Sequence, residues 1–415
     1  MRLTLKTLYA AGELSGTELS RRLGVLFAVI EPTLEFLKLQ RQCEVVAGAL
    51  VGAASYRYRI TGEGRSVANQ FLEQDQYIGP TPVPIAQYRR YMTDLQRATR
   101  SAVSPMSVRA VFSHLVLSDT VLDEVGAAVR NGRSLFIYGP PGNGKTVIAH
   151  GIQRLLSGDV FIPYALEVEG AIIRVFDPVN HAQRPAPDDD GTLRLAISPA
   201  PLDARWAVCA RPIVKVGGEM TLESFDLTYD PRLGYYRAPL QLIANGGVLI
   251  IDDFGRQRCS PADLLNRWMV PLESSLDYLM LRSGQKFEIP FHAFVVFATN
   301  LRPSDLVDEA FMRRVPFKVL ADNPTPDMYV RIFAQQCAEF GLAFDQGLPE
   351  SLLDNFYRTR RITPRGCHPR DLINQAVSIA DYSGQPRVLT PALLEVACAN
   401  YFVTDQKPSE PTHQQ

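Results

Sequence analysis

The chain has 415 residues, 46% hydrophobic and 21% charged, with a formal net charge of -1. This suits a globular protein of two or three domains with a sizeable core, and it excludes an overall electrostatic pull towards nucleic acid or an anionic membrane. No apolar stretch approaches the roughly 20 residues of a membrane span, and none of the six cysteines forms a CxxC pair that would suggest zinc or a disulfide framework. The start, "MRLTLKTLYAAGELSG", lacks a signal peptide's continuous apolar region. The expectation is a cytoplasmic setting without membrane insertion.

In chain order, "LKTLYAAGELSGTELSRRLG" has helical periodicity, a Gly/Ser break and a second short helix. "AVIEPTLEFLKLQRQ" predicts a third helix with Ile30, Leu34 and Leu37 on one face, "CEVV" and "YRYRI" a two-stranded wing, and "GRSVANQFLEQ" a closing helix. Residues 1–79 therefore resemble a winged helix domain, a type that often reads DNA through its third helix. Here that helix offers Glu31, Glu35 and Lys38. Nine basic minus eight acidic residues leave +1 over 1–79, poor for neutralising phosphates, so protein docking is favoured over DNA. Arg57 and Arg59 on the wing are the residues that speak for DNA. "YIGPTPVPIAQY" then opens a Pro-rich linker, residues 80–105, expected to hold the domain off the rest of the molecule.

The apolar run Leu135, Phe136, Ile137 leads into "YGPPGNGKTV", which meets the pattern GxxxxGK[ST]. Gly139, Pro140, Pro141, Gly142, Asn143 and Gly144 form a loop whose backbone N–H groups can wrap phosphates, because glycine leaves room for them. Val147, Ile148, Ile152, Leu155 and Leu156 mark the buried face of a following helix, whose N-terminal dipole would face the ligand. Lys145 would bridge the β- and γ-phosphates of ATP, and the Thr146 hydroxyl would ligate Mg2+. Further on, "GGVLIIDDFG" reads as a strand buried on both faces, Val248 to Ile251, ending in two carboxylates. Asp252 suits the magnesium shell and Asp253 the orientation or deprotonation of the attacking water.

The order of these motifs resembles that of AAA+ ATPases over roughly residues 106–403. In that resemblance "FVVFATN", Phe294 to Phe297 ending in Thr299 and Asn300, is similar to the first sensor, with Asn300 presenting its amide to the γ-phosphate or water. "DEAFMRRV" is similar to the arginine-finger segment, with Arg313 and Arg314 as candidates to reach a neighbouring subunit's nucleotide. "GCHPRDL" is similar to the second sensor, with Arg370 opening a lid helix, while His368 reads as structural. Many members place Glu where this chain has Asp253, which implies slower turnover. "SPADLLNRWMVPLESSLDYLMLRSGQKFEIPFHAFVVFATN" reads as a helix capped by Ser260, with Leu264, Leu265, Trp268 and Leu272 inward, then a hairpin around Ser283-Gly284. That arrangement is similar to MoxR-like ATPases and sigma-factor activators.

The 107 positions from Lys145 to Asp252 exceed what a minimal βαβ unit needs, and predict an insertion near 160–238. It contains the β-like runs "AIIRVFD", "TLRLAI" and "RPIVKV", the turn "RPAPDDDG", and Tyr235 and Tyr236, which either line a pore or pack on a sheet. Helical segments around 327–340, 348–360, 368–382 and 390–402 fit the family's lid within residues 326–403, and residues 404–415 read as a disordered tail. The resemblance thus implies a doubly wound P-loop NTPase sheet (106–325) with a C-terminal helical lid and an N-terminal winged helix domain. It further implies ATP and Mg2+ as cofactors and a homo-oligomer, a hexameric ring. The expected function is ATP-driven remodelling of a protein complex held by the N-terminal domain. A DNA-directed loader or regulator and a slow nucleotide-dependent switch are the alternatives.

Overall fold

Five of the strands within residues 106–325 assemble into one parallel sheet. The computed structural model describes residues 1–47, 52–99, 103–132, 134–156, 158–184, 203–306 and 309–402. Across the sheet the order is Ile213–Val216, Val248–Ile251, Phe294–Thr299, Leu135–Tyr138 and Phe317–Leu320. Alternation along each strand sends side chains to both faces. Leu135, Ile137, Val248, Ile250 and Val296 pack with Ile148 and Ile152 on one face, and Phe136, Leu249, Ile251 and Phe297 pack with Leu264 and Trp268 on the other. Burial on both faces explains why these strands are continuously apolar; Val248 to Ile251 are each 0% exposed. Each such side chain contributes roughly 1.5–3 kcal/mol by leaving water.

Two of the predicted boundaries change. Ile213–Val216, from "RPIVKV", belongs to the central sheet and not to the insertion, because it pairs in parallel with Val248–Ile251. The stretch 80–105 is no spacer. Val83–Pro84 pairs with Ala165–Val168, and the helix Ile85–Thr99 buries Tyr88 and Met92 against the inserted strands. The spacing of Tyr88, Tyr91, Met92 and Leu95 is helical, so beyond Pro84 the chain has an apolar face to bury.

The insertion's own sheet runs Thr228–Asp230, Tyr235–Arg237, Ala171–Arg174, Ala165–Val168, Val83–Pro84. Tyr235 meets Tyr77 edge-on, and the Tyr236 hydroxyl accepts from Arg282 N. Both tyrosines are 7% exposed, so they pack on this sheet and line no opening. "TLRLAI", most of "RPAPDDDG" and the tail lie outside the described residues.

At the N-terminus the helices Arg2–Ala11, Gly16–Leu23, Phe27–Leu39 and Gly62–Gln74 surround a sheet ordered Glu13–Ser15, Arg57–Ile60, Cys43–Ala47. The sheet has a third strand beyond the expected two. Ile30, Leu34 and Leu37 are buried as the periodicity requires. The C-terminal unit comprises Pro326–Glu339, Gly347–Ser351 continuing into the π-helical turn Leu352–Arg358, His368–Tyr382 and Pro391–Tyr401. Its core holds a buried chain of hydrogen bonds, with Tyr329 and Tyr357 hydroxyls 3.0 Å apart and the Tyr357 hydroxyl 3.0 Å from His368 Nδ1. Burial lowers the His368 pKa to about 4, so it is held neutral as a structural residue. No helix among the described residues is long and apolar enough to cross a membrane.

Candidate functional site

The loop 139–144 leaves the strand Leu135–Tyr138 at the C-terminal edge of the sheet, next to the strand Phe294–Thr299. In open α/β sheets this edge is where ligands bind. Gly139, Gly142 and Gly144 have φ of 135°, 84° and 76°, a region that favours glycine. The helix Lys145–Leu155 starts directly from Gly144, so its free N–H groups face the loop. Ile148, Ile152, Leu155 and Leu156 are buried as expected, but Val147 is 45% exposed.

Lys145 Nζ donates to the carbonyls of Gly139 and Pro140, each at 2.8 Å, which folds the ammonium over its own loop. Burial lowers its pKa; Asp252 and Asp253 oppose this, and Arg365 adds to it. An anion bridging the loop would relieve the cost of this buried charge.

Asp252 and Thr146 meet although they are far apart in sequence: Thr146 Oγ1 donates to Asp252 Oδ2 at 3.0 Å. Lys215 Nζ, from the edge strand Ile213–Val216, lies 2.9 Å from the same oxygen. Burial raises the Asp252 pKa, but the hydrogen bond and charge of Lys215, with the Thr146 hydroxyl, outweigh it and hold the carboxyl below its ordinary value. A hydroxyl and a carboxylate are hard oxygen donors suited to Mg2+ alongside phosphate and water ligands. A cation there would compete with Lys215 for Oδ2.

Asp253 sits at φ 50°, in the left-handed region, where a non-glycine residue is held at a cost of about 1 kcal/mol or more. Gln257 Nε2 secures the turn by donating to the carbonyls of Asp252 and Asp253, both at 3.0 Å. Thr299 Oγ1 donates to Phe254 O at 2.7 Å and ties the turn to the next strand. Asn300 Nδ2 then donates to Asp253 Oδ1 at 3.3 Å. Asp253 and Asn300 are thus brought together beside the cradle.

The arginines divide. Arg314 pairs with Glu273 at 3.2 Å, and Arg313 is exposed at the end of the helix Glu309–Arg314. Arg370 is exposed and pairs with its neighbour Asp371 at 3.0 Å. Arg365 takes the place beside the loop. Its Cβ lies 3.8 Å from where a Cβ on Gly142 would stand, and its charge acts on Lys145. Arg365 precedes the helix His368–Tyr382 and Arg370 lies in its first turn, and only the packing of the C-terminal unit shows which one stands beside the loop. Lys215, Gln257 and Arg365 are the site residues that sequence reasoning missed.

A family profile described as "Domain of unknown function (DUF8689)" matches residues 325–400, the C-terminal helical unit. No curated protein matches the chain. Among solved structures, a Thermotoga maritima RuvB titled as a Holliday junction branch migration motor is similar at 13% identity. The match covers 71% of this chain and 72% of that one, with a TM-score of 0.40. An alanine-to-serine variant of that protein is similar at 13% identity over 68% and 69%, and a lysine-to-arginine variant at 14% over 74% and 73%, both with TM-scores of 0.40.

Proposed function

We propose that the chain is an ATPase of the AAA+ type that remodels a protein complex held by its N-terminal domain. The observation that carries this reading is the 3.0 Å contact between Thr146 and Asp252, which joins the phosphate loop to the acidic strand end at one edge of a parallel sheet. Gly139 to Gly144 would cradle the phosphates through backbone N–H groups, and Lys145 would turn from its own loop carbonyls to the β- and γ-phosphates. Thr146 and Asp252 would hold Mg2+, which neutralises phosphate charge when bound. Asp253, oriented by Asn300, would orient or deprotonate the attacking water. Replacing Lys145 with alanine tests the reading. ATP affinity measured by calorimetry should fall about 5- to 150-fold, the loss of roughly 1–3 kcal/mol from a charge-assisted hydrogen bond. Unchanged affinity would overturn it.

By the resemblance to AAA+ ATPases, Arg313 or Arg314 would complete a neighbouring subunit's site in a hexameric ring, and residues 326–403 would act as the moving lid. The N-terminal domain is read as a winged helix, and its charges support docking of protein. Glu13 binds both Arg57 and Arg59, at 2.6 and 2.8 Å, and Lys38 binds Glu35 at 2.8 Å. Leu26, just before the third helix, and Val29, Phe36 and Leu39 along it are all exposed, an apolar stripe suited to a protein surface. A nucleotide switch with little turnover is the second reading, favoured by the short Asp253 arm and the hold of Lys215 on Asp252.

A further inference from the structure

Asn143 lies within the phosphate loop and is 9% exposed, yet its side chain is committed to two other parts of the chain. Its Oδ1 accepts from Gly366 N at 2.9 Å. Its Nδ2 donates to Asn323 Oδ1 at 2.9 Å and to Ala321 O at 3.4 Å. Ala321 and Asn323 stand where the chain leaves the strand Phe317–Leu320 for the C-terminal unit, and Gly366 stands just before the helix His368–Tyr382. The amide cannot be reversed, since Gly366 offers only an N–H and Ala321 only a carbonyl.

The loop backbone is fitted to the same two places. A Cβ on Gly139 would stand 2.4 Å from Ala321 O, and one on Gly142 would stand 2.5 Å from Cys367 Sγ. A Cβ on Gly144 would meet nothing within 4 Å. Two loop glycines are therefore needed by the chain's own close approach, on the side where Asn143 is clasped. Any shift of the loop strains three directional bonds to the hinge and to the helix start.

We infer that Asn143 is a positioning residue that transmits occupancy of the phosphate loop to the C-terminal helical unit, through the hinge at Ala321–Asn323 and through Gly366. The inference rests on the nucleotide reading of residues 139–146. It places Arg365, adjacent to Gly366, under direct control of the loop.

The test is hydrogen exchange of the full-length chain with and without ATP and magnesium, read at residues 366–372, with ATP binding followed in parallel by calorimetry. In the wild type, ATP slows exchange there. In Asn323→Ala, which leaves the loop sequence intact, ATP still binds. The ATP-induced slowing falls by about fivefold, which corresponds to a hydrogen bond of about 1 kcal/mol. A merely structural role would speed exchange equally with and without ATP and leave their ratio unchanged; that result overturns the inference. Loss of ATP binding in Asn323→Ala also overturns it, because the residue would then act on affinity. In Asn143→Ala the slowing should fall likewise at ATP concentrations that saturate it; if that variant fails to fold or to bind, Asn323→Ala alone decides. If the wild type binds no ATP, the nucleotide reading has failed, and the inference falls with it.

Discussion

The phosphate edge of the central sheet and the N-terminal domain handle charge in opposite ways. At the sheet edge, Lys145, Lys215, the adjacent pair Asp252 and Asp253, and Arg365 arrive from four separate segments, and Lys145 and Asp252 are both shifted from ordinary pKa values. In the N-terminal domain the arginines of the strand Arg57–Ile60 are matched by Glu13, and the side chains left facing water include Leu26 and Leu39, 77% and 80% exposed. Clustered, half-buried charge is the setting for a charged ligand. Cancelled charge beside exposed apolar side chains is the setting for a protein partner.

The largest effect that would sharpen this contrast is on turnover. Asp253→Asn should lower ATP hydrolysis by roughly 10²–10⁴-fold while ATP binding persists, because the change removes only the carboxylate that acts on water. Wild-type protein without turnover, even beside its partners, would transfer the site to the switch reading.

Buried groups should also dominate the response to pH. His368 keeps a pKa of about 4 in the fold against the usual 6.5, because burial disfavours its charged form. Between these values the unfolded chain binds the proton and the native one does not. Stability is therefore fully present above pH 6.5 and declines as pH falls towards 4, by on the order of 3 kcal/mol. Unfolding curves of the wild type minus those of His368→Gln should show this loss. A pH-independent difference would mean the ring is hydrated or charged in the native state.

A smaller effect separates two arginines. Arg365→Ala should weaken ATP binding by about tenfold, the scale of one charge-assisted contact. Arg370→Ala should change it less than about twofold, because an exposed ion pair with Asp371 contributes little. Equal losses would return Arg370 to the site. Smallest of all should be the response to DNA. With the full chain at physiological salt, a mobility shift should show no duplex binding tighter than about 10⁻⁴ M. Tight, salt-sensitive binding that depends on Arg57 and Arg59 would break the contrast and promote the DNA-directed alternative.

What the sequence determined by itself rests on rules that act over a few residues. Positive φ calls for glycine at 139, 142 and 144, a strand buried on both faces is apolar at every position from Val248 to Ile251, and Ser260 with Pro261 caps a helix whose boundary follows. The loop and the acidic pair Asp252 and Asp253 at the strand end were legible for that reason, and Asn300 through the resemblance of "FVVFATN" to a first sensor. Only the tertiary structure decided the rest. Ile213–Val216 looks like any short strand until it pairs with Val248–Ile251, and that pairing alone brings Lys215 to Asp252. The helix Ile85–Thr99 had its periodicity in plain view, but where its apolar face is buried depended on strands more than sixty residues away. Arg365 stands just before the helix His368–Tyr382 and Arg370 in its first turn, and the clasp of Asn143 on Gly366 holds the first beside the loop. Local sequence carries backbone preference and burial pattern, whereas pairing between distant segments depends on which surfaces exclude water together.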